Sequence, residues 1–218
     1  MTALRARLPF APKLAGALLL VSAGVLLVVV GMPTGQAREQ RMAPELNRIV
    51  SSRERHVDPA ELLSLMYNNQ FHLFLIDVRA EADFNLFHLR DAIHRPVEKM
   101  TDACCRKLKQ EGVKVVISND EKLADSAFRH LTANDVPNVY ILAGGINLWL
   151  DLFREGKPAP PHAAIDGKGE DRLRHRFERA LGHDHPASLP EQQAAANREY
   201  PRKVKVAAPR TVAGGGCG

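Results

Sequence analysis

The amino-acid sequence predicts an α/β fold: a small parallel sheet flanked by helices, preceded by one transmembrane helix and followed by a largely disordered tail. Three observations predict it. Apolar runs at residues 71–76, 113–117 and 138–142 are too short for helices and read as strands buried on both faces. Helix-like stretches separate them, and strands alternating with helices argue for a parallel sheet covered on both sides. At Lys114-Val115-Val116-Ile117-Ser118-Asn119-Asp120-Glu121-Lys122-Leu123 a β-branched run meets a small polar residue, crosses a polar turn and opens a helix. In α/β domains such a junction faces the mouth of the sheet, where loop N–H groups and a helix N-terminus collect anions.

Composition narrows the function classes. The 218 residues are 45% hydrophobic, enough for a packed core in part of the chain. Net charge is +5, but the basic residues are dispersed along the sequence without interleaved aromatics, which argues against nucleic acid as a partner. Cys104, Cys105 and Cys217 make no disulfide framework, and no Cys or His spacing marks a metal site. No cofactor is expected.

Residues 1–13 form a basic lead with Arg5, Arg7 and Lys13. Residues 14–32, LAGALLLVSAGVLLVVVGM, carry no charge. At about 1.5 Å per residue, about 20 such residues cross a ~30 Å hydrocarbon core. A cleaved signal peptide competes with this reading, because Gly35-Gln36-Ala37 offers a small-residue cut. The apolar run exceeds the roughly 7–15 residues of a signal peptide, which favours an uncleaved single-pass anchor. Arg38, Arg41 and Arg48 nearly balance the basic lead. The short lead places the N-terminus inside and the folded domain outside the cytoplasm.

Residues 33–56 read as a polar, partly helical connector, and residues 57–153 as the folded domain. Asp58-Pro59-Ala60-Glu61 is a helix start: Asp58 suits the N-cap, Pro59 the first position, and Glu61 can return a bond to the cap. Phe71 to Ile76 is a strand ending in Asp77-Val78-Arg79, and Ala92-Ile93 a minimal second strand. Val97 to Glu111 is helix-like, with Met100, Cys104 and Leu108 four apart, so Cys104 faces the apolar side as a small hydrophobe. Val113 to Ile117, a helix from Leu123 to Asn134, a strand from Asn138 to Leu142, a Gly144-Gly145 turn and a short helix around Trp149 complete the domain.

Three fragments in the right order resemble the rhodanese family. A strand ends in Asp77-Val78-Arg79. The pair Asp83-Phe84 precedes Phe87-His88-Leu89-Arg90-Asp91-Ala92-Ile93-His94-Arg95-Pro96, in which His88, Ala92, Ile93 and Pro96 match the family's Gly-His-Ile-Pro-Gly-Ala-Ile-x-x-Pro segment. The stretch from Val139 to Trp149, with Gly144 and Gly145, matches the family's ending. The resemblance implies an active-site loop after the third of these strands, whose cysteine carries sulfur as a persulfide while loop N–H groups and an arginine stabilise it. Here the loop is Ser118, Asn119, Asp120, Glu121, Lys122 and Leu123. Ser118 stands at the cysteine position, Glu121 where glycine is expected, and Leu123 in place of arginine. A hydroxyl forms no persulfide and is a poor nucleophile without a base. Asp120 and Glu121 would repel an anionic donor, and leucine removes the bidentate anion clamp. Asp77, Arg79, His88, Gly144, Gly145 and Trp149 are expected to be structural, and Ser118 is not expected to pair with His88 or His94 as nucleophile and base.

Residues 154–218 shift to Pro, Ala and charge. Leu173, Phe177 and Leu181, four apart, suggest a helix over 170–181, and the remainder reads as a solvated tail in which His175, His183 and His185 bind no metal. Cys217 on a glycine stem is a candidate reactive thiol. The expected protein is a membrane-anchored, catalytically inactive rhodanese-like module with a protein partner. The alternative is a sulfurtransferase or sulfur carrier using Cys217 or, less favourably, Cys105.

Overall fold

The computed structural model of the chain describes residues 16, 20–22, 35–70, 72–154, 170–195 and 198–205. The expected anchor at 14–32 lies mostly outside these residues, as does Cys217. No helix among the described residues is long and apolar enough to cross a membrane.

The expected connector forms a continuous helix, α1 (Gly35–Ser52), that packs on the domain instead of bridging to it. Leu46 is fully buried, and Met42, Ile49 and Val50 pack beside it. Next come β1 (His56–Val57) and α2 (Pro59–Met66). The Asp58 carboxylate accepts the Ala60 N–H at 2.9 Å, so the sequence does set this start by its cap. Glu61 does not return to the cap, because its Oε1 accepts the N–H groups of Lys203 and Val204, each at 2.8 Å.

The chain continues through β2 (Leu73–Asp77), α3 (Glu81–Leu86) and β3 (Ile93–His94), then α4 (Asp102–Leu108), β4 (Val113–Ile117), α5 (Lys122–Ala133), β5 (Val139–Leu142) and α6 (Gly145–Phe153). The five strands are all parallel, in the order β1-β5-β4-β2-β3. Two-residue β1 was not expected as a strand; it pairs with β5 alone at the sheet edge. One face of the sheet buries Leu75, Val115, Ile117, Tyr140 and Leu142 against Leu62 and Leu63 of α2 and Ile146, Trp149 and Leu150 of α6. The other buries Ile76, Val116, Val139 and Ile141 under Leu46, Phe128 and Leu131. Both faces are covered, as an all-parallel sheet requires.

Two expectations are corrected. The helix over Val97 to Glu111 is broken into a 3₁₀ turn at Val97–Lys99 and α4, which Thr101 caps. Cys104 packs against the second face with Met100 and Leu108 as its spacing implies, though only partly buried, and Cys105 is the one that is fully buried. The helix over 170–181 does not form, and residues 170–195 and 198–205 are no solvated tail. They run across the domain with short 3₁₀ turns at Pro186–Ser188 and Gln192–Ala195. The apolar spacing did mark core contacts, since Leu173 and Phe177 pack against the first face. The backbone groups there bond to the domain instead of to each other, with Leu181 N–H to Leu86 O at 3.1 Å and Gly182 paired to Phe87 by a parallel bridge. Trp149 Nε1–H donates to Ala187 O at 2.7 Å and Tyr67 O–H to Pro190 O at 2.9 Å.

Because α1 belongs to the core, Leu46→Ala should lower unfolding stability by roughly 2–5 kcal/mol in urea denaturation. A loss below about 0.5 kcal/mol would return residues 35–52 to the role of connector.

Candidate functional site

The site is built from the C-terminal ends of β2 and β4 and the starts of α5 and α6. Beneath it, Asp77 and Arg79 are both fully buried. Arg79 Nη2 donates to Asp77 Oδ2 at 2.7 Å, and Nε donates to Oδ1 at 2.9 Å. The same guanidinium donates to Phe87 O at 2.6 Å and to Asn119 Oδ1 at 3.3 Å. A charge taken out of water needs both its counter-charge and its remaining donors satisfied. Arg79 meets that condition by tying the end of β2, the turn after α3 and the loop after β4 together.

The loop 118–123 is pressed against the Gly144-Gly145 turn. Ile146 N–H donates to Ser118 O at 2.9 Å and Asn147 N–H to Asn119 O at 3.0 Å. Gly145 has φ +57°, and a Cβ there would sit 2.2 Å from Asp120 O and 2.5 Å from Ser118 O. Only glycine allows that approach. Ser118 is fully buried at the end of β4, and its Oγ has no hydrogen-bond partner. His88 Nδ1 lies 2.8 Å from Phe84 O and His94 Nε2 2.9 Å from Arg79 O. Neither imidazole bonds to the serine; both stack on Phe84, with centroids 3.8 Å and 4.6 Å away.

The loop's own N–H groups do point outward as an anion cradle, and the cradle is filled. Asp171, from the segment that begins at residue 170, accepts Asn119 N–H at 2.6 Å and Asp120 N–H at 3.1 Å through Oδ1, and Leu123 N–H at 2.6 Å through Oδ2. These are charge-assisted bonds to a helix start, the most favourable position for a carboxylate. Asn147 holds the strap in place: its Nδ2 donates to Arg172 O at 2.8 Å and its Oδ1 accepts Arg174 N–H at 2.8 Å. Asn119 Nδ2 adds a bond to Asp83 Oδ2 at 2.7 Å. Asp171 and Asn147 were not singled out in the sequence. Asp83 carried a signal there, as half of the acidic-aromatic pair.

Glu121 is also neutralised in place. Arg53 donates to both its oxygens, at 2.7 Å and 2.9 Å, and Gly144 N–H donates at 2.6 Å. Asp120 accepts Asn147 Nδ2 at 2.9 Å. Behind Glu121 lies His56, whose Nε2 is 3.5 Å from Glu121 and 3.7 Å from Asp125. Burial, and secondarily the Arg53 and Lys203 charges, outweigh the pull of Glu121 and depress the His56 pKa to about 4, so at neutral pH this contact is no ion pair. Burial and then the Glu121 charge raise Asp125 to about 6. Lys122 opens α5, while Leu123 is partly buried against the second face of the core. Among the described cysteines, Cys105 has its thiol pKa pushed up by burial, the wrong direction for a thiolate. No group of three His, Cys, Asp or Glu among the described residues could hold a metal.

The fold is thus a five-stranded parallel α/β sheet with a loop of N–H donors between its fourth strand and the next helix. Residues 58–152 match the family model described as Rhodanese-like domain, and this stretch is a rhodanese-like domain. The chain is also similar to two solved structures. One is a full-length protein from Lactobacillus plantarum, at 19% identity over 48% of this chain and 88% of that one, with a TM-score of 0.38. The other is the rhodanese-like domain of a protein from Anabaena sp., at 23% identity over 57% and 98%, with a TM-score of 0.40. No curated protein matches the sequence.

The two shifted groups oppose each other in pH dependence. The raised Asp125 pKa contributes stability present below pH 3.8 and lost as pH rises through about 6. The depressed His56 pKa contributes stability present above pH 6.5 and lost as pH falls through about 4. Asp125→Asn should therefore raise stability above pH 6 by on the order of 1–2 kcal/mol, allowing for its partial exposure. It should also steepen the loss between pH 6.5 and 4, where His56 acts unopposed. Urea midpoints across that range test this, and no gain at pH 8 would contradict it.

Proposed function

We propose that this protein is a membrane-anchored rhodanese-like domain that does not transfer sulfur and serves as a binding or regulatory module. The observation that carries this reading is the Asp171 carboxylate in the loop's N–H cradle, above a buried serine hydroxyl. The resemblance implies that sulfur transfer needs a thiolate facing an open cradle for an anionic donor. Here the nucleophile is a hydroxyl without a base, the cradle holds an internal carboxylate, and Glu121 replaces an uncharged position. Residues 14–32 supply the anchor, with the folded domain outside the cytoplasm. Helix α1 favours the uncleaved form over a cut near Ala37. That cut would remove Gly35–Ala37 from its first turn, where Gly35 packs on Asn134, and would leave Arg38, which donates to Asn134 Oδ1 at 3.0 Å, at the new N-terminus.

The full-length chain should show only background in a thiosulfate:cyanide sulfurtransferase assay, and sustained turnover would refute the reading. Mass spectrometry after thiosulfate exposure should find no persulfide. A persulfide on Cys217 or Cys105 would establish the sulfur-carrier alternative instead. Ser118→Cys sharpens the test, because a thiol tolerates an apolar pocket better than an unpartnered hydroxyl. This variant should gain about 1 kcal/mol in stability yet remain at background activity. Turnover by Ser118→Cys would mean that Asp171 does not close the cradle.

A further inference from the structure

The sequence disperses its basic residues, but the fold gathers five of them at the β1 edge of the sheet. The turn between α1 and β1, Tyr140 of β5 and the docked tail line a groove of about 520 Å³ containing Arg53, Arg55, Arg202, Lys203 and Lys205. The single carboxylate in that lining, Glu54, is bonded to Arg48 at 2.8 Å. Arg53 is spent on Glu121. Lys203 Nζ donates to a backbone carbonyl, which leaves Arg55, Arg202 and Lys205 with neither a carboxylate partner nor a hydrogen-bond acceptor among the described residues.

Arg53, Arg55 and Lys203 are held there by the fold, and Arg202 and Lys205 flank them on the docked tail. The Arg55 guanidinium lies 5.1 Å from the Tyr140 ring centroid, over its face. Lys203 Nζ donates to Arg53 O at 2.7 Å. The tail backbone beneath Lys203 is fixed by the two N–H bonds to Glu61, and Arg198 clamps Asp58 at 2.8 Å just upstream. Burial and the neighbouring Arg53 charge both push the Lys203 ammonium below its ordinary pKa. Like charges fixed this close repel, and a multivalent anion converts that cost into affinity.

We propose that this groove binds a small molecule carrying two or more adjacent phosphate groups. Its volume falls in the range of small-molecule sites. Guanidinium forks match phosphate oxygens geometrically, and three unpaired cations ask for about three negative charges, which a diphosphate carries and a carboxylate does not. The site is separate from the 118–123 cradle, although Arg53 contributes to both.

Isothermal titration of the full-length chain with inorganic pyrophosphate tests the proposal. Saturable binding is expected, weakening steeply with added salt, and about tenfold or more tighter than for orthophosphate. The Arg55→Gln/Arg202→Gln double variant should lose about tenfold or more, with its thermal midpoint as the check on folding. Arg55→Lys, which keeps the charge but loses the fork, should lose only a few-fold. Non-saturating heats, equal affinity for orthophosphate, or undiminished binding by a folded double variant would each overturn the proposal. The titration is repeated with phosphatidylserine vesicles present. Unchanged affinity is expected, whereas abolition of binding would assign the groove to an anionic membrane surface and overturn the small-molecule assignment.

Discussion

The contact between the Asp171 carboxylate and three N–H groups of the loop after β4 governs how the rest of the molecule is arranged. Backbone donors at a helix start, left empty in a buried site, would each cost a lost hydrogen bond. An open cradle meets that cost with a ligand or water. This chain meets it with its own downstream segment, and the strap cannot sit there unless residues 172–175 cross α6. Asn147 bonds both Arg172 and Arg174, and His175 Nε2 approaches Asp151 Oδ1 at 3.2 Å. From that crossing the chain goes on to bury Ala187 and Ser188 and to meet Glu61 at the far side of the sheet.

The negative residues of the loop take on a different meaning in this setting. Read along the sequence, Asp120 and Glu121 are charges that repel an anion. In the fold each is a fastening: Glu121 joins the loop to Arg53 and to the Gly144 turn, and Asp120 joins it to Asn147. With the buried Asp77 and Arg79 pair below, the loop is fixed from beneath, behind and above.

Much of the domain was legible in the sequence where structure is local. Asp58 and Pro59 announce α2, short apolar runs announce the central strands, and Gly144-Gly145 announces a turn that glycine alone permits. What escaped depends on partners far away in the chain. β1 is two residues long and exists only because β5 lies beside it. The spacing of Leu173, Phe177 and Leu181 was read as helical, yet the same side chains serve an irregular strap whose backbone bonds reach Leu86 and Asn147. The break at Thr101, which divides the expected helix, and the burial of Cys105 beside the core-facing Cys104 were not legible in the spacing. Nothing in the sequence pairs Asp171 with a loop about 50 residues upstream; that pairing is a property of the fold.

The molecule also carries a built-in optical reporter. Its single tryptophan, Trp149, is fully buried, and the indole N–H is satisfied by Ala187 O of the tail. Indole emission depends on polarity and hydrogen bonding at that nitrogen, so lifting the tail would wet the ring and move its emission to the red. Seating and release of the strap are therefore visible by fluorescence in the unmodified protein, without a label.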